Sequence, residues 1–287
     1  MKDIKIVKIE SESYPESLKK ISDAPKVLYY KGILPSKDEK IIAVVGTRRP
    51  SPYGQQATIQ IAGELTNENI TIISGMAPGI DTFAHKICVE KQKRTIAVLG
   101  TGLDEKSIYP QQNLELSRKI IETGGCLISE LKEGTHGSKF TFPRRNRIVS
   151  ALSAGVLVVE AKEKSGSLIT ANYAKKQNKK LFAIPGPIFS LNSAGPNRLI
   201  KEGAKIVQGP KDILNELNLV QSKKQKEIFG ETSEENLILK ALKEEALYID
   251  KIIEKTNLGA STVATSLALL EISGKIRHLG GNTYSLN

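Results

Sequence analysis

The sequence predicts an α/β protein built on a parallel-rich sheet, with a small second domain at its carboxyl end. Three observations carry that reading. Short apolar runs alternate with helix-length segments through most of the 287 residues. Several of the runs are apolar on both faces, as strands covered from both sides must be. After residue 233 the alternation gives way to three short helical patterns and a terminal hairpin.

The strand runs are Ile41–Val45, Ile70–Ile73, Thr95–Leu99, Leu127–Ser129, Val156–Val159 and Lys180–Ile184. Between them lie helix-length segments such as Gln55–Leu65, Thr82–Glu90, Leu114–Glu122 and Leu168–Lys176. Repeated strand–helix alternation argues for parallel strands joined by right-handed crossovers, an extended Rossmann-like sheet. Residues 41–216 are assigned to this domain. Residues 1–40 are expected to form an extension packed on it, with one helical turn and a short strand-like piece in Tyr14–Gly32. Residues 217–233 are polar, carry Lys223, Lys224 and Lys226, and read as a linker.

Residues 234–287 form the second domain. Asn236–Lys243, Ile249–Lys255 and Ser261–Leu270 read as helices. Lys275–His278 and Thr283–Leu286 pair across Leu279–Gly280–Gly281–Asn282. That is the winged-helix order, in which the third helix often enters the DNA major groove. Here that helix, Ala260 to Ile272, contains Glu271 and no Lys or Arg. A protein-contact or accessory role is therefore expected of this domain.

Composition is globular: 39% apolar and 25% charged residues. The formal net charge of +11 points to an anionic partner, most commonly nucleic acid. Thr232 to Asn287 hold six basic against seven acidic residues, which leaves 36 against 24 before them. The excess lies in the front domain. Two cysteines, Cys88 and Cys126, are too few for a disulfide framework and lack metal spacing. The histidines His85, His136 and His278 are scattered. Structural roles are expected for all five residues, and no metal or cofactor is expected. No run of about 18 apolar residues suggests a membrane span. Met1 to Glu10 is mixed and charged, unlike a signal peptide. A cytoplasmic location is expected by default.

In an open parallel sheet, ligands sit beyond the carboxyl ends of the strands. Three strands reach that edge at Gly46, Gly75 and Gly100. After Gly46 come Thr47, Arg48, Arg49, Pro50 and Ser51. The two guanidinium forks match phosphate oxygens, and Ser51 can cap a helix or donate to an anion. Gly75 and Gly79 bracket a loop whose amides could converge on one oxygen. Asp81 could cap the helix that follows. The densest constellation is Lys139–Arg147, KFTFPRRNR, where basic residues interleave with Phe140 and Phe142. Arginines can neutralise successive phosphates while a phenylalanine stacks on a base. Either phenylalanine could instead be core. Ser165–Gly166–Ser167 opens a helix and presents amides and hydroxyls, to an anion or as a plain cap. No GxxxxGK[ST] run, GxGxxG fingerprint or HExxH pair is present.

These motifs in this order resemble the DNA-processing protein A (DprA/Smf) family. The matching residues are VVGTRRPSPYG (Val44–Gly54), SGMAPGID (Ser74–Asp81), AVLGTGLD with YPQQN (Ala97–Asp104, Tyr109–Asn113) and ISE (Ile128–Glu130). FPRRNRIVSALS (Phe142–Ser153), VVEA with SGSLITA (Val158–Ala161, Ser165–Ala171), AIPGP (Ala183–Pro187) and SAGPNRLIKEGA (Ser193–Ala204) complete the set. The resemblance covers about residues 14–215. It implies single-stranded DNA binding, homodimerisation and loading of the RecA recombinase on incoming DNA during natural transformation, with no enzymatic activity. By motif position it assigns DNA contact to Arg48, Arg49, Lys139, Phe142, Arg144 and Arg147, with Ser165 and Gly166 as backbone anchors. Met1 to Ser13 is too short for the helical domain that some members carry before the YP motif. The rival reading is a phosphoribohydrolase-like nucleotide-processing enzyme on a similar sheet, with Glu160 as its one obvious acid.

Overall fold

A computed structural model describes residues 3–219, 229–243 and 245–286. Lys223, Lys224 and Lys226 of the expected linker lie outside them. The chain divides into two compact units, residues 1–220 and 221–287.

The first unit is a nine-stranded sheet with helices on both faces. In chain order it runs β1 (Lys5–Lys8), α1 (Glu16–Lys19), β2 (Val27–Gly32), β3 (Ile41–Val45), α2 (Pro52–Asn67), β4 (Thr71–Ser74), α3 (Ile80–Glu90) and β5 (Thr95–Leu99). Then come α4 (Leu114–Glu122), β6 (Cys126–Ser129), α5 (Thr141–Leu152), β7 (Gly155–Val158), α6 (Ser167–Lys176), β8 (Lys180–Ala183), α7 (Ala194–Lys201), β9 (Lys205–Ile206) and α8 (Pro210–Glu216). The strand order is β1-β2-β6-β5-β4-β3-β7-β8-β9. From β6 to β9 all neighbours are parallel, while β1, β2 and β6 pair antiparallel. Residues before 41 therefore extend the sheet itself by two strands.

Strand β3 explains why both faces had to be apolar. Alternate side chains point to opposite faces. Ile42 and Val44 pack with Ile61 and Leu65 of α2, Ala84 of α3 and Ile213 of α8. Ile41, Ala43 and Val45 pack with Ile148 and Leu152 of α5 and Leu168 of α6. All five are buried, and the four Ile and Val side chains are each worth about 1.5–3 kcal/mol. Order along the sheet reverses beside β3: β4, β5 and β6 lie on one side, β7 and β8 on the other. Such a switch point leaves a crevice at the strand carboxyl ends.

The second unit holds α9 (Ser233–Ala241), β10 (Leu247–Tyr248), α10 (Ile249–Thr256), α11 (Ala260–Ile272), β11 (Ile276–Gly280) and β12 (Thr283–Leu286). It is a winged-helix domain, with sheet order β10-β12-β11. Thr232 caps α9 by accepting from Glu235 N–H at 3.2 Å. Asn257 ends α10 in the left-handed region (φ 57°), which turns the chain into α11. Strand β10 has two residues, too short for any periodicity to announce it. Among the described residues, no helix is long and apolar enough to cross a membrane.

Candidate functional site

A cleft of about 520 Å³ opens at the switch point. Its walls come from the loop after β3, the loop after β4, the first half of α5 and the start of α6.

The first two loops are locked together by close backbone approach. Gly46 leaves no room for a Cβ, which would lie 2.5 Å from the Ile80 side chain. Thr47 N–H donates to Glu160 O at 2.7 Å, and Ile80 N–H donates to Thr47 O at 3.2 Å. Gly79 has φ 84°, and a Cβ there would overlap the Thr47 carbonyl. Arg48 leaves this braced loop exposed, with its guanidinium carbon 5.6 Å from the Phe142 ring centre.

Helix α5 supplies one face. Phe142, Arg145, Asn146 and Val149 recur at i, i+3, i+4 and i+7, and all four line the cleft. Phe142 is half-buried and sits 5.4 Å from the Tyr109 ring. Its position leaves room for nothing beyond a hydrogen at Gly100 and Gly137. Phe140 is 73% exposed under the Lys139 ammonium. Neither ring is core; Phe142 is the one in the cleft wall.

Arg145 is buried beneath the cleft and braces it. It donates to the carbonyls of Gly75 and Val98, and its Nε donates to Asn146 Oδ1 at 3.0 Å. A Cβ at Gly75 would collide with this guanidinium. Burial pushes the Arg145 pKa down to about 10, against the pull of nearby Asp81, and Arg48 adds to the depression. Burial raises the Asp81 pKa, opposed first by Arg145 and then by N–H donors. Asp81 Oδ2 accepts from Gly75 N–H at 3.1 Å and Ala77 N–H at 3.4 Å. The Gly75 amide is thereby engaged inside the loop, and the left-handed backbone falls at Met76 and Gly79. Gly75 is needed for space beside Arg145, not for amides aimed at a ligand.

The start of α6 completes the cleft. Ser165, Gly166 and Ser167 line it. The Ser165 and Ser167 hydroxyls lie 2.8 Å apart, and Asn146 Nδ2 donates to Gly166 O at 3.2 Å. The first amides of the helix are engaged within the turn, Ser167 N–H with Ser165 Oγ at 3.4 Å, Leu168 N–H with Ser165 O at 3.1 Å and Ile169 N–H with Gly166 O at 3.2 Å, and nothing lies within 4 Å of a Cβ on Gly166. The positive end of the helix dipole thus borders open space, which favours an anion.

Of the sequence-derived residues, the cleft gathers Arg48, Gly75, Lys139, Phe142, Ser165 and Gly166. Four fall outside its lining. Arg49 is exposed, and its carbonyl accepts from Asn192 Nδ2 at 3.1 Å. Ser51 caps α2, donating its hydroxyl to Glu160 Oε1 at 2.5 Å and accepting from Gly54 N–H at 3.2 Å. Arg144 is 65% exposed and donates to Glu130 at 2.8 Å. Arg147 is corrected outright as a phosphate contact. It is 1% exposed and paired with both oxygens of Glu130 at 2.8 Å and with Asp23 at 2.9 Å. Its charge is spent fastening α5 to the end of β6 and to the segment after α1. Arg145, Asn146 and Asp81 were missed as cleft residues. The helical period through Thr141–Leu152 was the signal for the first two.

Glu160 is 2% exposed and does not line the cleft. Its carboxylate accepts from Ser51 N–H at 2.9 Å, the Ser51 hydroxyl and Asn192 Nδ2 at 3.4 Å. Through these bonds it ties the loop after β3 to Asn192. Among the described residues, no group of three His, Cys, Asp or Glu could hold a metal. Cys88 and Cys126 are buried free thiols with pKa values pushed up to about 12 by burial.

Fold and site together define a class: a cleft lined by Arg48 and Lys139 at the switch point of a Rossmann-like domain, followed in the chain by a winged-helix domain. The chain belongs to the DNA recombination-mediator protein A family, whose model matches residues 5–218; the DprA winged helix domain matches residues 222–282. It is 37% identical over 288 residues to protein Smf of Escherichia coli K12, spanning 96% of this chain and 76% of that one. It is 43% identical over 216 residues to the DNA processing protein DprA of Bacillus subtilis 168, spanning 75% and 71%. The X-ray structure of DprA from Streptococcus pneumoniae matches with TM-score 0.68 and 40% identity over 74% of each chain. DprA from Helicobacter pylori, solved for its single-stranded DNA binding mode, matches with TM-score 0.65 and 34% identity over 74% of this chain and 95% of that one.

Proposed function

We propose that this chain is a non-enzymatic single-stranded DNA-binding protein that uses the switch-point cleft, dimerises, and helps load the RecA recombinase on incoming DNA during natural transformation. The observation that carries the reading is convergence. Arg48 and Lys139 supply cations, Phe142 a half-exposed ring, and the start of α6 the positive end of a helix dipole, all on one cleft. Cations and a helix N-terminus suit backbone phosphates, and a ring face suits an unpaired base of any identity. The binding studied in the Helicobacter pylori relative supports the same ligand for this chain.

Dimerisation is supported by an apolar surface on the loop after β8, where Ile188, Phe189 and Leu191 are 82%, 94% and 72% exposed. Three adjacent apolar side chains this bare suit a contact with another protein surface. Sedimentation at micromolar concentration should give twice the monomer mass. The rate of recombinase assembly on a strand, with and without this protein, tests the loading step.

The central test is a salt titration with single- and double-stranded oligonucleotides. Single strands should bind more tightly, and log affinity should fall with log salt by about 0.7 per phosphate neutralised. A flat titration, or equal affinity for duplex, would overturn the reading.

A further inference from the structure

A second cleft, of about 690 Å³, opens at the other end of helix α6. It lies between the segment around α1 and the last turn of α6, and Lys20, Lys176 and Lys179 line it together with Ser17, Ser22 and Tyr173. Among the described residues, none of these lysines pairs with a carboxylate; their neighbours Lys19 and Lys175 do. Asp23, the one carboxylate in the lining, is drawn to Arg147 at 2.9 Å. Lys179 is half-buried, and burial followed by the charge of Lys20 lowers its pKa. Three lysines around one concavity, whose one carboxylate is drawn to Arg147, favour an anion there.

Lysines near a helix C-terminus also complement its dipole. That explains Lys175 and Lys176 in the last turn of α6. It does not explain why Lys20, just after α1, lines the same concavity as Lys179.

Helix α6 connects the two clefts. Ile169 lines the first, while Tyr173 and Lys176 line the second. Spacings of four and three put these residues on one helical face. Ten residues of helix span about 15 Å, a distance that a few nucleotides of extended strand can cover. Tyr173 is partly exposed midway along that face, where an unpaired base leaving Phe142 could stack.

We propose that the second cleft binds backbone phosphates of the same single strand as it leaves the first cleft along α6. The proposal rests on the first cleft being the single-strand site, so the experiment separates the two. Fluorescence anisotropy of the full chain is measured with a thymidine hexamer and a twenty-nucleotide thymidine strand, each across a salt series. The variant Lys176→Gln/Lys179→Gln should bind the hexamer within about twofold of wild type. It should lose roughly tenfold in affinity for the long strand, and its salt slope should fall by about 1.4, for two phosphates released. Arg48→Glu should weaken both lengths. A long-strand slope unchanged in the double-lysine variant overturns the second cleft and leaves the first standing. So does an equal loss on both lengths, which would mean that the lysines act through the fold; thermal melting of the variant checks this directly. Wild-type protein that binds neither strand overturns the first cleft itself.

Discussion

The carboxyl edge of the large sheet and the third helix of the winged-helix domain make an instructive pair. By shape the helix is the better-known DNA reader. Yet its exposed positions, among them Ser261, Thr262, Thr265, Ala268, Leu269 and Ile272, carry no cation. Leu269 and Ile272 are 51% and 84% exposed, a face suited to protein or to nothing. The sheet edge has no groove-reading helix, but it holds Arg48, Lys139 and the N-terminus of α6 around one cavity. Affinity for a polyanion follows the placement of charge and donors, not the outline of a domain.

The comparison can be broken or sharpened in four ways, from the largest effect to the smallest. Arg147→Met should cost about 3 kcal/mol of stability, because it opens a gap in the interior and leaves partly buried Glu130 with only exposed Arg144 to pair with. Chemical denaturation reads this, and a stable variant with weakened DNA binding would return Arg147 to the interface. Arg48→Glu should leave the melting temperature unchanged and weaken single-strand binding by about 10–100-fold, the worth of a charge-assisted phosphate contact. Phe142→Ala should lose about 1–3 kcal/mol of binding while Phe140→Ala loses less, since only Phe142 lines the cleft. The reverse order in anisotropy would move the stacking platform to the exposed ring. A chain ending after Leu219, which keeps Leu217 and Leu219 packed on the sheet, should bind within about threefold of the full chain if its charge count decides affinity. A larger loss would bring the winged helix into the DNA site and dissolve the contrast.

Much of the architecture was legible before any coordinates. Strands β3 and β5 match the apolar runs Ile41–Val45 and Thr95–Leu99, and α4 matches Leu114–Glu122. These segments are long enough and buried enough for local pattern to decide them. Two-residue β9 and β10 were not, because pairing partners far along the chain create them. Gly46 and Gly79 were legible as loop glycines at the strand ends, while their close approach to Ile80 and Thr47 came with the tertiary structure. The role of Gly75 was not legible, because the guanidinium that fills its space comes from a residue 70 positions away.

Helix α5 draws the line most sharply. The sequence by itself determined that a basic, aromatic-bearing helix follows β6 near the carboxyl edge, and that the basic excess lies before residue 232. It also determined the strand–helix alternation that puts a crevice there. Only the tertiary structure decided what each arginine does. Arg144, Arg145 and Arg147 are nearly adjacent, but helical geometry turns each about 100° from the last residue, toward different surroundings. Arg144 meets solvent and Glu130, Arg145 meets the carbonyl ends of β4 and β5, and Arg147 meets Glu130 and Asp23 in the interior. A guanidinium is a phosphate ligand or a structural strut according to the acceptors that surround it, and those acceptors are brought in by distant segments of the chain.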